Sequence, residues 1–149
     1  MICGGQHYLS DPYQMSSLFP LLARMAAEAG DMQVAATVVL LPLHNPVELA
    51  ESVATMDAIY EGRFIFGISL GYHDQEYMTF GVERRARVQR MREALELMKR
   101  LWTEDEVEFH GKYYQVPKIK PATRPVQKPH PPIWVAANND AAIRRAACS

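Results

Sequence analysis

The sequence predicts an α/β fold built on parallel strands, and three observations carry that reading. Two apolar runs rich in β-branched and aromatic residues, VAATVVLL from Val34 to Leu41 and RFIFGISLG from Arg63 to Gly71, have the unbroken hydrophobicity of strands buried on both faces. Between them, VELAESVATMDAIYEG sets Leu49, Val53, Met56 and Ile59 or Tyr60 on one stripe, so that strand, helix and strand form a βαβ unit. A third such run, IWVAA from Ile133 to Ala137, leads into another helix start.

The elements follow in order. MICGG reads as the end of an earlier strand, weakened by its two glycines. SSLFPLLARMAAEAG places Leu18, Leu22, Met25 and Ala29 at helical spacing and stops on Gly30. After the first buried strand, Pro42 ends the run, and Asn45-Pro46 opens the second helix, which closes at Gly62. Beyond the second strand, Phe80-Gly81 interrupts any helix before a long one that begins near Glu83 or Arg84. That helix carries Val88, Met91, Leu95, Met98 and Trp102 on one face, an amphipathic element of about five turns. VEFHGKYYQV reads as a hairpin, with Gly111-Lys112 as a type II′ turn. KIKPATRPVQKPHPP is too proline-rich for helix and connects to the third strand.

Composition narrows the function classes. The chain has 149 residues, 48% of them hydrophobic, and a formal charge of −1, values of an ordinary globular domain. No basic stripe suits nucleic acid, and no apolar run reaches the roughly 18 residues of a membrane span. With no export signal visible, the expected location is cytoplasmic. Cys3 and Cys148 read as free thiols, and the scattered His44, His73, His110 and His130 have no metal-ligand spacing, so no metal site is expected and these histidines read as surface or loop residues.

Gly67-Ile68-Ser69-Leu70-Gly71 spells the G-x-S-x-G of a hydrolase nucleophile elbow. An elbow requires an immediate helix, which the residues after Gly71 do not promise. Gly67, Ser69 and Gly71 alternate instead, giving the strand one face of small residues with room for a ligand or a close backbone neighbour. Asn138 and Asn139 open the last helix directly after a strand, where free N–H groups suit either a phosphate or an ordinary Asn cap.

The ordered series LLPLHNPVELAE, MDAIYEGRFIFGISLGY, EYMTFGVERRARVQRMREALELMKRLW, FHGKYYQV and RPVQKPHPPIWVAA resembles the luciferase-like flavin-dependent monooxygenases, a group that includes bacterial luciferase and the F420-dependent reductases. The resemblance implies a (β/α)8 TIM barrel with its flavin at the carboxyl ends of the strands. Such a barrel takes about 250 residues. Residues 1–149 are therefore expected to form a single partial barrel domain, about strands 2–5 with their helices and the hairpin, the N- and C-terminal parts of the barrel being absent.

The resemblance also implies site residues. His7 falls where the family has a histidine close to the flavin and proposed as a base, although Gln6 and Tyr8 replace the flanking Glu and His. Thr37 and Val38 occupy the position of a non-prolyl cis peptide under the flavin ring. Ser69 aligns with a small residue facing that ring, and Tyr72, Asn138 and Asn139 with contacts to the ribityl chain and phosphate. Leu70 stands where many relatives have a phosphate-contacting arginine. The implied function is oxygenation of a small organic substrate with reduced FMN and O2. The alternatives are hydride transfer with F420 and a catalytically inactive dimerising fragment. A homodimer is expected through the helices at 16–29 and 46–61, which in the family build the dimer interface.

Overall fold

A computed structural model describes residues 1–8, 16–138 and 140–146. The elements in chain order are β1 (Ile2–Gly4), α1 (Leu18–Ala29), β2 (Val34–Leu40), α2 (Pro46–Ile59), β3 (Phe64–Ser69), α3 (Asp74–Thr79), α4 (Arg87–Thr103), β4 (Val107–His110), β5 (Gln115–Ile119), β6 (Ile133–Val135) and α5 (Asp140–Ala146). Among the described residues, four strands form one sheet in the order β1-β2-β3-β6, every neighbouring pair parallel, while β4 and β5 make a separate antiparallel ribbon. The sheet is thus wound in one direction, without the reversal of strand order that marks a doubly wound fold.

The core explains why. Phe64, Phe66 and Ile68 of β3, with Val34 and Ala36 of β2, pack in one cluster with Leu18 and Leu22 of α1, Leu49 and Val53 of α2, and Leu97 and Trp102 of α4. Alternation then sends Ile65, Gly67 and Ser69 to the opposite face of β3. All three long helices lie on the same side of the sheet, as in a barrel, where the other face is the interior.

Polar anchors fix this packing. Asn45 caps α2 through its side-chain oxygen, which accepts the Val47 N–H at 2.9 Å, and Pro46 occupies the first turn. The indole of Trp102 is buried and donates to the Ala50 carbonyl at 3.0 Å, tying α4 to α2. The Tyr60 hydroxyl donates to the Leu22 carbonyl at 2.5 Å, tying the end of α2 to α1. Asp57, 0% exposed, accepts the backbone N–H of Gln127 at 2.8 Å and its side-chain amide at 2.6 Å. That amide also donates to the Phe64 carbonyl at 2.8 Å, so the proline-rich segment is held to α2 and to the start of β3.

Two expectations are corrected. The hairpin does not turn at Gly111-Lys112: His110 pairs with Gln115, leaving a four-residue loop, and Gly111 lacks the positive φ of a type II′ turn. The reason lies on α4, where the Glu93 carboxylate accepts the N–H groups of Lys112, Tyr113 and Tyr114 at 3.1, 2.8 and 2.8 Å and draws the loop around itself. The third run is not buried on both faces either. Ile133 and Val135 pack against the helix-side core, but Trp134 points the other way and is 46% exposed.

Candidate active site

The carboxyl ends of β1, β2 and β3 converge on one set of side chains. In β2, Ala36 pairs with Phe66 and Val39 with Ile68, so β2 advances three residues while β3 advances two. Thr37 and Val38 occupy this irregularity, joined by a cis peptide, and both are half-buried in a strand otherwise closed to solvent. Opposite them sits Gly67. A Cβ there would run into the Ala36 carbonyl oxygen and lie 3.4 Å from the Thr37 Cα. Glycine is required by backbone approach, so the small face divides by cause: Gly67 serves the neighbouring strand, and Gly71, with φ +77°, serves the turn beyond β3. Ser69, the last residue of β3, is the one residue of that strand that is not buried.

The elbow reading ends here as well. Tyr72 and His73 intervene before α3 begins at Asp74, and no hydrogen bond joins Ser69 to a histidine among the described residues.

The loop after β1 is held by a polar network. The Leu40 N–H donates to Gln6 Oε1 at 3.1 Å, which fixes that end of the amide as oxygen. His44 Nε2, 2.9 Å from the same oxygen, must therefore be the donor. The Gln6 amide donates to the Tyr8 hydroxyl at 2.7 Å, and that hydroxyl lies 3.3 Å from His44 Nε2. Burial holds the His44 imidazole below its ordinary value, Glu48 opposing, and burial also raises the Tyr8 phenol. Both groups are neutral in the network.

His7 stands beside this loop with its ring nearly perpendicular to those of Tyr72 and His73, at centroid separations of 5.7 and 5.6 Å. Tyr72 is 63% exposed and stacks obliquely on His73 at 4.0 Å. Behind His7 lies Glu76 on α3, whose Oε1 accepts the Tyr8 N–H at 2.7 Å. The next residue, Tyr77, donates its hydroxyl to the Leu70 carbonyl, fixing the turn that follows Ser69; burial pushes that phenol up to about 12, so it remains a donor at any working pH. His7, the Thr37–Val38 peptide, Ser69 and Tyr72 therefore come from three consecutive strand ends. Asn138 lies exposed past the end of β6, before α5, and Asn139 lies outside the described residues.

A family model described as luciferase-like monooxygenase matches residues 4–148. The chain belongs to the luciferase-like monooxygenase family. It is 34% identical over 137 residues to the oxygenase component of a flavin-dependent trigonelline monooxygenase from Acinetobacter baylyi, a match covering 91% of this chain and 38% of that protein. Monooxygenase RslO1 of Streptomyces bottropensis superposes with a TM-score of 0.85 at 26% identity, over 97% of this chain and 45% of that one. The oxygenating constituent of 3,6-diketocamphane monooxygenase from the CAM plasmid of Pseudomonas putida, solved with FMN, shares the fold with a TM-score of 0.81 at 23% identity, over 89% of this chain and 40% of that one. The chain spans less than half the length of each of these three proteins.

Within this family's barrel, the four parallel strands are a consecutive part of the wall. Three polar residues of the site escaped the sequence. His44 reads as a loop residue there but joins Gln6 in the network; its place just after a buried strand was the available signal. Gln6 reads only as a departure from the family pattern, and Glu76 is hidden in the polar run HDQE. Among the described residues, no helix is long and apolar enough to cross a membrane.

Proposed function

We propose that the protein of which this chain forms the described part is a flavin-dependent monooxygenase, using reduced FMN and O2 on a small organic substrate at the carboxyl ends of β1, β2 and β3. The observation that carries the proposal is the convergence there of His7, the half-buried Thr37–Val38 cis peptide, Ser69 and Tyr72. The residues present fit a planar heteroaromatic group. Val38 offers half-buried apolar surface, while the Ser69 hydroxyl and the Tyr72 phenol supply polar edges. Bound reduced FMN would supply the electrons and the oxygen-activating chemistry, which belong to the cofactor.

The chain's own residues would bind, orient and handle protons. Val38, Ser69 and Tyr72 would line the ring, and Asn138 would approach the phosphate end. His7, whose side chain keeps 31% exposure although Nδ1 is shut from solvent, would take or give a proton through the rest of its ring. Gln6, anchored to Leu40 and His44, would keep that histidine's loop in place. The protein is further proposed to be cytoplasmic and to form a homodimer through the outer surfaces of α1 and α2, where Leu21 and Ile59 are 40% and 42% exposed.

Titration of the purified chain with FMN and, separately, F420, followed by ligand fluorescence, tests the proposal. Saturable FMN binding, weakened about tenfold or more by Ser69→Trp, is the expected result, equivalent to roughly 1.4 kcal/mol. Leu70, in the place of the arginine, keeps F420 as the second reading. Saturable binding of F420 alone would move the assignment to hydride transfer, and binding of neither by a folded chain would favour a structural, dimerising role.

A further inference from the structure

A buried carboxylate stands behind His7 with more hydrogen-bonding capacity than its neighbours use. Glu76 is 1% exposed. Its Oε1 accepts the Tyr8 N–H at 2.7 Å and lies 3.6 Å from His7 Nδ1. Glu76 Oε2 is buried without a hydrogen-bond partner among the described residues, and so is His7 Nδ1. Buried polar atoms are rarely left unpaired, and here two of them belong to side chains that face each other. Among the described residues, the other groups around His7 do not answer the need. Tyr72 and His73 meet the ring through edge contacts, and the Gln6 oxygen is already engaged by Leu40 and His44. A small closure of the 3.6 Å gap gives the imidazole nitrogen a carboxylate oxygen as its hydrogen-bond acceptor.

The geometry points to Glu76 as the positioning residue of His7: its carboxylate holds the neutral ring in the Nδ1–H tautomer, leaving Nε2 as the basic atom toward the strand ends. This rests on the proposed role of His7 as proton carrier and adds the direction of transfer. The proton is taken up and released at Nε2, the Nδ1 proton stays on the ring throughout, and the passing imidazolium charge faces the Glu76 carboxylate. Tyr8 links the two, because its N–H orients the carboxylate and it follows His7 directly in the chain.

The test reads the tautomer itself. In the chain labelled with 15N-histidine, long-range proton–nitrogen correlations are recorded at rising pH until the ring nitrogen shifts stop changing, so that the neutral ring is the one read. His7→Gln assigns the His7 signals by their disappearance. The expected wild-type spectrum shows Nδ1 protonated and Nε2 bare. Glu76→Gln, which keeps an oxygen for the Tyr8 N–H, is expected to lower the ratio of Nδ1–H to Nε2–H about tenfold or more, and Glu76→Asp to lower it less. A wild-type ring carrying its proton on Nε2, or a ratio unmoved by Glu76→Gln, would overturn the inference. Once His7→Gln has assigned the signals, the wild-type spectrum decides the first point even where the Glu76 variants fold poorly. No flavin enters the measurement, so its outcome is separate from that of the FMN titration.

Discussion

At the residue scale, the strand-end network ties stability to the protonation of His44. Its Nε2 donates to a Gln6 oxygen that Leu40 also uses, and burial keeps the ring neutral by lowering its affinity for a proton from the ordinary 6.5. The unfolded chain then binds a proton on this ring before the native chain does. Stability is therefore lost as pH falls from about 6.5 through the lowered native value, and above that window the term is constant. Urea unfolding of the wild type and of His44→Gln across this range should give a shallower acid slope for the variant; equal slopes would remove His44 from the account. The exposed pairs Glu83–Arg85 and Arg100–Glu104, and His110, titrate alike in both proteins and cancel in the difference. Gly67 makes a second residue-scale case. The alternation of Gly67 with Ser69 was legible in the sequence, and a close backbone neighbour was one of its two readings; which position that neighbour claims was not, because a carbonyl on the adjacent strand has no trace in the local pattern. Gly67→Ala should cost about 1–3 kcal/mol by overpacking, read as a lower urea midpoint at unchanged m-value. A neutral substitution would mean that β2 yields there.

At the element scale, legibility followed length. The runs of β2 and β3, with most residues closed to solvent, announced themselves, and α4 showed its stripe over 17 residues. The three residues of β1 and the six of α3 are too few to establish a period, and α3 is the element that carries Glu76. The hairpin loop was misread for another reason: it is shaped by Glu93, on a helix that precedes it in the chain. A Cβ on Gly111 would invade the Glu93 carboxylate and approach Phe109 Cε1 to 2.7 Å. Glu93→Ala releases three loop N–H groups and should cost about 1–3 kcal/mol. Gly111→Ala should cost a similar amount in the wild type but less in the Glu93→Ala background. A double-mutant cycle by urea unfolding would show that coupling, and strict additivity would deny that carboxylate and glycine form one device.

At the scale of the whole molecule, the fold separates two surfaces. The strand ends that gather His7, Ser69 and Tyr72 lie at the carboxyl edge of the sheet, whereas α1 and α2 cover one of its faces and turn Leu21 and Ile59 outward. Scattered exposed apolar residues are common on monomers, so their exposure alone does not decide association. A charge placed on one of them does. Asp at position 59 would cost little in the free chain, since the side chain is already 42% exposed, but would be desolvated without a partner inside an interface. With the proposed homodimer through α1 and α2, Ile59→Asp should therefore shift sedimentation from dimer toward monomer while leaving the proposed FMN binding where the wild type has it. Loss of both together would place the dimer interface and the cofactor surface in one coupled unit. An unchanged dimer would move the interface away from Ile59 and the end of α2.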